Sequence, residues 1–320
     1  MSRYARQTIL PEVGPEGQAR LRAAHLLVVG AGGLGVPVLQ YLAGAGVGRI
    51  TLVDGDRIEE HNLHRQPLYR MDQIGQFKAE AAAQTLAALN PEVRVEPRSH
   101  WLDPANAAQL LADADLALDC ADTFAVSLTL SDACKTAGKP LIAASALALA
   151  GYAGGFCGGA PSLRALFPDL PERGATCATA GVMGPVVGLI GMVQAQMALA
   201  VLLGLSPSPL GQLVSFDAAR WRFGGFRFDA APEPATALPF VALSQIAPGD
   251  LLIDLRTEAA DPVTPEALRL SVEEARDFTP PIDTARVVIT CRTGLRAHHA
   301  GTDLHNRWPG RVALLAVPPT

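Results

Sequence analysis

The chain of 320 residues is long enough for one large domain or two smaller ones. Its 49% hydrophobic and 18% charged residues exclude an intrinsically disordered chain, and only 5% aromatic residues favour an α/β protein over a β-sandwich. A net charge of −5 argues against a nucleic-acid binder. The N-terminus carries no apolar signal core, and five cysteines without disulfide or metal spacing predict reduced thiols in the cytoplasm.

Predicted strands and helices alternate along the first half of the chain. Short apolar runs predict strands at residues 26–30, 50–54, 115–120 and 140–146, and helical patterns fill the gaps, notably at 79–90 and 126–137. Residues 151–181 are rich in Gly and Pro and predict loop or poor strand. The alternation predicts a Rossmann-like, doubly wound and mostly parallel α/β sheet.

A Pro- and Ala-rich stretch divides the chain. Residues 229–238 lack any periodic pattern and are predicted to be a linker. Beyond it, the apolar runs at 251–256 and 286–291 restart the strand pattern. We therefore expect a large domain at 1–228 and a smaller α/β domain at 239–320.

The segment 182–204 carries no formal charge and is long enough to cross a bilayer. Pro185 and the amides of Gln194 and Gln196 interrupt it, and no basic flank orients it in a membrane. A helix buried in a core or in a subunit interface is favoured over a membrane span.

A glycine-rich motif follows the first predicted strand and opens a helix. Gly30, Gly32, Gly33 and Gly35 fit the pattern in which backbone N–H groups approach a phosphate at the positive end of a helix dipole. Asp54 ends the next strand, where a carboxylate can accept hydrogen bonds from ribose hydroxyls. The motif predicts a nucleotide site and leaves NAD, FAD and ATP open.

Cations and amides lie close in sequence to this motif, in RYARQ (3–7), NLHRQ (62–66) and GQFK (75–78). A hydride-transfer enzyme has no need for such a collection beside its nucleotide. Cleavage of a triphosphate at the α-phosphorus does need it, because negative charge builds up on the bridging and leaving oxygens. ATP is therefore favoured, with an NAD(P)-dependent oxidoreductase as the alternative.

In their order and spacing, the motifs RYARQ, GAGGLG, TLVDGD, NLHRQ, GQFK, LDCAD and TCATAGVMGPVVGLIG resemble the ThiF/MoeB/HesA family, bacterial relatives of ubiquitin-activating enzymes. The resemblance covers residues 3–228. It implies an adenylyltransferase that uses ATP and Mg²⁺ to activate the C-terminal glycine carboxylate of a small ubiquitin-like sulfur-carrier protein ending in Gly-Gly. The adenylylated carrier would then be ready for thiocarboxylate formation. A scaffold that binds such a carrier without activating it is the non-enzymatic alternative.

The resemblance also implies roles for individual residues. Arg6 would reach the phosphates of a neighbouring subunit in a homodimer, Asp54 would bind ribose, and Asp122 would hold Mg²⁺. Arg65 and Lys78 would join Arg6 in catalysis. The residues implied to bind ATP are Gly30, Gly32, Gly33, Gly35, Asp54, Asp56, Asn62, Arg65, Gln66 and Lys78.

Two departures from the family pattern affect metals. Thr123 stands where the family usually has Asn after the LDC-x-D motif. Ser162 and Ala165 stand where the first of two cysteine pairs for a structural zinc is found in the family, and no cysteine lies between Phe228 and Cys291. Since structural zinc usually takes four such ligands, we expect no zinc.

Two cysteines are candidate reactive residues. Cys177 aligns with a cysteine that in some relatives binds the activated carrier covalently, and a small apolar filler is its alternative interpretation. Cys291 opens CRTGLRA (291–297), which resembles a rhodanese loop, whose backbone N–H groups and arginines stabilise an anionic sulfur.

We expect Cys291, rather than Cys177, to carry transferable sulfur from a persulfide donor such as a cysteine desulfurase. The alternative is a degenerate rhodanese-like domain that only packs or docks. Cys120, Cys134 and Cys157 are interpreted as structural. Neither the carrier nor the pathway follows from the sequence.

Overall fold

The computed structural model describes residues 3–171 and 180–317. An eight-stranded sheet forms the larger part. Its strands are β1 (His25–Val29), β2 (Arg49–Val53), β3 (Arg94–Arg98), β4 (Leu116–Asp119), β5 (Pro140–Leu147), β6 (Ala150–Cys157), β7 (Gln212–Asp217) and β8 (Arg222–Arg227). The order is β3-β2-β1-β4-β5-β6-β7-β8; the first five run parallel, and the last three continue the sheet antiparallel. This confirms the predicted doubly wound, mostly parallel fold.

Helices cover both faces of this sheet. They are α1 (Ala5–Thr8), α2 (Gly14–Ala23), α3 (Gly35–Ala45), α4 (Lys78–Leu89), α5 (Ala107–Leu111), α6 (Phe124–Ala137), α7 (Leu163–Leu166) and α8 (Gly184–Leu203). Leu26 and Val28 of β1 join the core under α3, α4 and α8, while Leu27 and Val29 join the core under α5 and α6. Because alternate side chains are buried on both faces, the strand is apolar from Leu26 to Val29.

The C-terminal residues form a second sheet, here called the C-terminal unit (239–317). Its strands are β9 (Asp250–Asp254), β10 (Leu268–Arg269), β11 (Arg286–Cys291) and β12 (Arg311–Ala316), with α9 (Val272–Asp277) and α10 (Leu295–Arg307). All strands are parallel, in the order β10-β9-β11-β12. Leu295 and Leu304 of α10 belong to the same buried apolar cluster as Leu128 and Leu130 of α6. The two sheets therefore share a core.

The glycine-rich stretch after residue 150 corrects one prediction. Residues 151–181 predict loop or poor strand, yet β6 pairs antiparallel with β5 along its whole length. A side chain on Gly151 would lie 2.7 Å from Ile190 of α8, and one on Gly155 would meet the carbonyl of Pro209. The glycines permit this close packing of a strand under a helix. A strand with so many glycines has the amino-acid composition of a loop, which explains the prediction.

The uncharged segment forms α8, a helix long and apolar enough to cross a membrane by length and composition. Half of it is buried inside the protein. Gly191 lies against the carbonyl of Leu34, and buried Gln194 donates hydrogen bonds to the carbonyls of Asp119 and Ile142. The buried amide of Gln194 thus hydrogen-bonds to the sheet beneath the helix, which explains a polar residue in this apolar segment.

His298 lies on α10, and its Nδ1 is buried without a hydrogen-bond partner among the described residues. Its pKa is lowered from 6.5 to about 4, mainly by burial, with His299 and Arg164 adding to the effect and Asp169 opposing it.

Stability is expected to fall as the pH drops from 6.5 towards 4, because the unfolded chain takes up a proton that folded His298 refuses. The substitution His298→Gln should flatten this part of the profile of unfolding free energy against pH, measured by urea titration. His305→Gln, on the exposed side of the same helix, is the control. Equal slopes in the wild type and the His298 variant would contradict the prediction.

Candidate active site

The candidate site lies where β1, β2 and β4 end at one edge of the sheet. The chain runs from β1 to β2 and β3 on one side and then crosses to β4 on the other, so the loops after β1 and β4 separate at this point. Such a switch point leaves a crevice at the carboxyl ends of the strands, where open α/β sheets bind ligands. The residues predicted to bind ATP come from the loops at this edge.

The glycine loop between β1 and α3 divides into packed and open positions. A side chain on Gly30, whose φ is +100°, would lie 2.6 Å from the carbonyl oxygen of Cys120, and one on Gly33 would lie 3.1 Å from Val187. A side chain on Gly35 would clash with the carbonyl oxygen of Gly30. Gly32 has only the Gln66 amide nearby, at 3.7 Å, so that backbone at this position stays open to a ligand.

Asp54 fixes the glycine loop to the end of β2. Its two carboxylate oxygens accept hydrogen bonds from the backbone N–H groups of Ala31, at 2.6 Å, and Asp56, at 2.7 Å. The side chain is buried, and burial raises its pKa, while Lys78 and the two N–H groups act in the opposite direction. The remaining lone pairs of the carboxylate are free to accept ribose hydroxyls.

Lys78 brings a cation to the same edge. It is the first residue of α4 and only 4% exposed, and its Nζ lies 2.6 Å from a carboxylate oxygen of half-buried Asp56. Tyr69, which the sequence reasoning missed, donates a hydrogen bond from its hydroxyl to the carbonyl of Ala31 at 2.8 Å. A buried ammonium needs a counter-charge, so Asp56 holds Lys78 in place before any phosphate arrives.

The NLHRQ motif lies beside the glycine loop, with the Gln66 amide near Gly32 and the Arg65 carbonyl near Gly33. Asn62 is buried and accepts a hydrogen bond from the backbone of Glu59, whereas Arg65 is half-exposed and donates to the carbonyl of His61 at 3.0 Å. Gln66 is buried, and its Oε1 has no hydrogen-bond partner among the described residues. The amide nitrogen of the same side chain lies near Gly32, so the unpaired oxygen marks a place close to the glycine loop where a ligand donor fits.

The LDCAD motif ends β4. Asp119 is buried, accepts hydrogen bonds from the N–H of Ala121 and the hydroxyl of Ser127, and has a pKa raised to about 6, chiefly by burial. Asp122 is exposed and Thr123 begins the turn into α6. Mg²⁺ is commonly held by one or two carboxylates together with substrate phosphates, which Asp122 fits. Asp119 instead orders the turn, a role that the motif alone did not reveal.

Arg6 lies away from this edge in its own chain. It is exposed on α1, whose Tyr4 packs against Gly46 at the far end of α3 and accepts a hydrogen bond from Asn90 at 2.8 Å. The glycine loop opens the other end of α3, about 16 Å away along the 11 residues of the helix. The fold therefore does not bring Arg6 to the glycine loop of the same chain.

The predicted cysteines fall in different places. Cys177 lies outside the described residues. Cys291 ends β11 and is only 1% exposed, with its sulfur accepting a hydrogen bond from the N–H of Ala297 at 3.3 Å. Arg296 beside it pairs with Glu258 at 2.6 Å.

Cys120, Cys134 and Cys157 are all buried, as structural thiols are expected to be. Burial raises the pKa of Cys157 to about 11.

The residues in the position of the family's first cysteine pair make polar contacts instead. Ser162 donates from its hydroxyl to Glu233 at 2.7 Å and from its backbone N–H at 2.8 Å, and Ala165 is buried. Among the described residues no group of three or more His, Cys, Asp or Glu side chains could hold a metal ion. The expected lack of zinc stays a prediction.

The fold and the edge site define a nucleotide-binding α/β protein with cations gathered beside an open glycine loop. A family model described as ThiF family matches residues 4–236, and the chain belongs to that family. The resemblance inferred from the motifs is thus confirmed over the large sheet. The rhodanese-like interpretation of the C-terminal unit stays a prediction.

Named relatives agree with this assignment. The chain is 45% identical over 231 residues to the sulfur carrier protein adenylyltransferase of Thermus thermophilus, covering 70% of this chain and 85% of that protein. It is 40% identical to the SAMP-activating enzyme E1 of Haloferax volcanii over 73% of this chain and 87% of that one. It is also 46% identical to the adenylyltransferase and sulfurtransferase MOCS3 of Bos taurus over 69% of this chain, and this match spans about half (49%) of MOCS3.

Among solved structures, MccB of E. coli with ATP has a TM-score of 0.64 at 22% identity, covering 73% of this chain and 74% of MccB. This likeness concerns the fold alone.

Proposed function

We propose that the protein is an adenylyltransferase that uses ATP to activate the C-terminal carboxylate of a small ubiquitin-like sulfur-carrier protein ending in Gly-Gly. The observation that carries the proposal is the set of groups around the open backbone at Gly32. Buried Lys78 and half-exposed Arg65 supply cations, Asp54 supplies a ribose acceptor, and the unpaired oxygen of Gln66 awaits a donor. The named relatives, which include a sulfur carrier protein adenylyltransferase, support the substrate class.

The proposed reaction is a displacement at the α-phosphorus of ATP. A carboxylate oxygen of the carrier forms a bond to this phosphorus as the bond to the bridging oxygen breaks, and pyrophosphate leaves with the electron pair. Lys78 and Arg65 neutralise the charge that grows on the bridging and leaving oxygens. Asp122 would hold Mg²⁺, which offsets phosphate charge when bound. The terminal sulfur of a persulfide, on an external donor or on Cys291, then attacks the acyl carbon and displaces AMP, which leaves an acyl disulfide. A second thiol attacks the donor cysteine of this disulfide, forms a new disulfide with it and releases the carrier as a thiocarboxylate.

The placement of Arg6 and α8 supports a homodimer. The outward side of α8 carries no charged residue, and Met192 there is 38% exposed. Leu10, next to α1, lines one surface depression with Gln196 and Leu199 of α8, and Glu12 adds one charge to this lining, so a mainly uncharged surface continues to the helix that carries Arg6. A mainly uncharged surface of this kind suits contact with a second copy. There Arg6, too far from its own glycine loop, can serve that of the other subunit.

The substitution Arg65→Ala should slow ATP–pyrophosphate exchange, measured with Mg²⁺ and the carrier, by at least ~10²-fold, because it removes charge that meets the transition state. Arg70→Ala is the matched control, since Arg70 is exposed in the same connection and forms its ion pair with Asp72. Normal exchange in the Arg65 variant would remove this residue from the site. An absorbance change with NADH, in the absence of any exchange with ATP, would favour an oxidoreductase.

Complementation tests whether Arg6 acts on a second subunit. Arg6→Ala and Lys78→Ala should each be inactive alone, and mixing them should restore activity at about a quarter of the sites, those that pair an intact Lys78 with the partner's intact Arg6. Pyrophosphate exchange after mixing and re-equilibration measures this. A mixture as inactive as its components would show that Arg6 does not act across subunits.

A sulfur-labelling experiment tests Cys291. We expect a small donor such as thiosulfate to add the mass of one sulfur to this residue, because its loop presents backbone N–H groups and Arg292 and Arg296 nearby. Cys291→Ala should lose the added mass, and Cys157→Ala, which alters a buried thiol, should keep it. Mass spectrometry of the peptides locates the added sulfur. If it is found only on Cys177, the C-terminal unit has no sulfur-carrying role.

A further inference from the structure

The first turn of α6 lacks a cap of its own. Thr123 is its N-cap residue, but the side chain accepts no hydrogen bond from the helix. The second helical residue, Ala125, instead donates its N–H to the carbonyl oxygen of Thr293, at 3.3 Å, in the C-terminal unit. Because the first N–H groups of a helix have no partner within it, an acceptor from outside stabilises this end. The acceptor comes from the loop that follows Cys291.

The same loop is packed against α6 without spare room. A side chain on Gly294 would lie 2.9 Å from the ring of Phe240 and 3.0 Å from the Cβ of Ala125, and its φ is +86°. Gly294, Phe240 and Ala125 are all buried. The position of the Thr293 carbonyl therefore depends on a glycine at 294.

Further contacts tie α6 to the residues before the C-terminal unit. Arg164 forms two hydrogen bonds of 2.8 Å with Asp132 on α6 and donates to the carbonyl of Leu238. Lys135 on the same helix pairs with Glu233 at 2.9 Å. These contacts hold the body of α6 along the connecting segment. At its first turn, the Thr293 contact adds to the hydrogen bond that the Ser127 hydroxyl donates to Asp119.

We propose that the C-terminal unit positions Asp122 for adenylation by capping α6, with Thr293 and Gly294 as positioning residues. Asp122 lies on the turn that leads into this first turn, and it is the exposed carboxylate of the LDCAD motif. A displacement of a reactive group by about 1 Å can cost up to ~10²-fold in rate, even when the mutation lies outside the site. The inference rests on the proposed adenylylation and gives the second sheet a part in it that needs no sulfur chemistry.

Two glycines in the C-terminal unit allow a matched test. Gly294 and Gly249 have almost the same positive φ, +86° and +88°, so alanine brings similar backbone strain to both. Only at 294 does the new methyl group meet Phe240 and Ala125, since at 249 the nearest atom is 3.8 Å away. In the full-length chain with carrier, Gly294→Ala should lower kcat for pyrophosphate exchange by ~10-fold and raise the half-saturating Mg²⁺ concentration. Gly249→Ala should change neither.

The outcomes separate the two proposals. If the wild type shows no exchange, the proposed function fails; if it does and both glycine variants match it, the capping proposal is wrong. A lower thermal unfolding midpoint with unchanged kcat and Mg²⁺ dependence would also overturn it, because that describes a purely structural contact. If Gly294→Ala does not fold, Phe240→Leu, which loosens the ring resting on Gly294, should show the same fall in kcat and shift in Mg²⁺ dependence.

Discussion

The carboxylate of Asp54 is the contact on which the site depends most. It links the end of β2 to the glycine loop by accepting a hydrogen bond from the N–H of Ala31, and it fixes its own turn by accepting one from the N–H of Asp56. Because Asp56 then holds Lys78, one buried carboxylate sets the glycine loop, the ribose acceptor and the cation relative to one another. Burying it raises its pKa, and the adjacent ammonium and backbone donors offset part of that cost. Binding groups are thus ordered before a nucleotide arrives, which favours catalysis.

The sequence predicts the parallel core well because both faces of that core are covered. A strand buried on two sides is mainly apolar, and LLVV (26–29) in β1 shows this directly, although buried His25 begins the strand. The sequence predicted loop or poor strand for β6 because its glycines are required by close contacts with Ile190 and Pro209, residues far away in the chain. A local sequence pattern cannot show which residues are needed for packing against a helix that is distant in the chain.

The candidate site divides in the same way. The order of the motifs indicates which residues gather at the carboxyl edge, since the ends of neighbouring parallel strands meet there. It does not reveal that Tyr69 and Asp119 order the loops, because each acts through hydrogen bonds that only the fold creates. Nor does it place Arg6, whose distance from its own glycine loop follows from the length of α3. Residues whose chemical type suits a ligand are thus easier to predict from sequence than residues whose role depends on where the fold places them.

The two proposed roles of the Cys291 loop bear on each other. Cys291 is buried, and the residues that follow it, Thr293 and Gly294, are the ones packed on the first turn of α6. A donor that reaches the sulfur has to displace part of this loop, since the path to a buried thiol is otherwise closed. Displacing the loop withdraws the carbonyl that receives the Ala125 N–H, so that loading of sulfur and positioning of Asp122 compete for one segment.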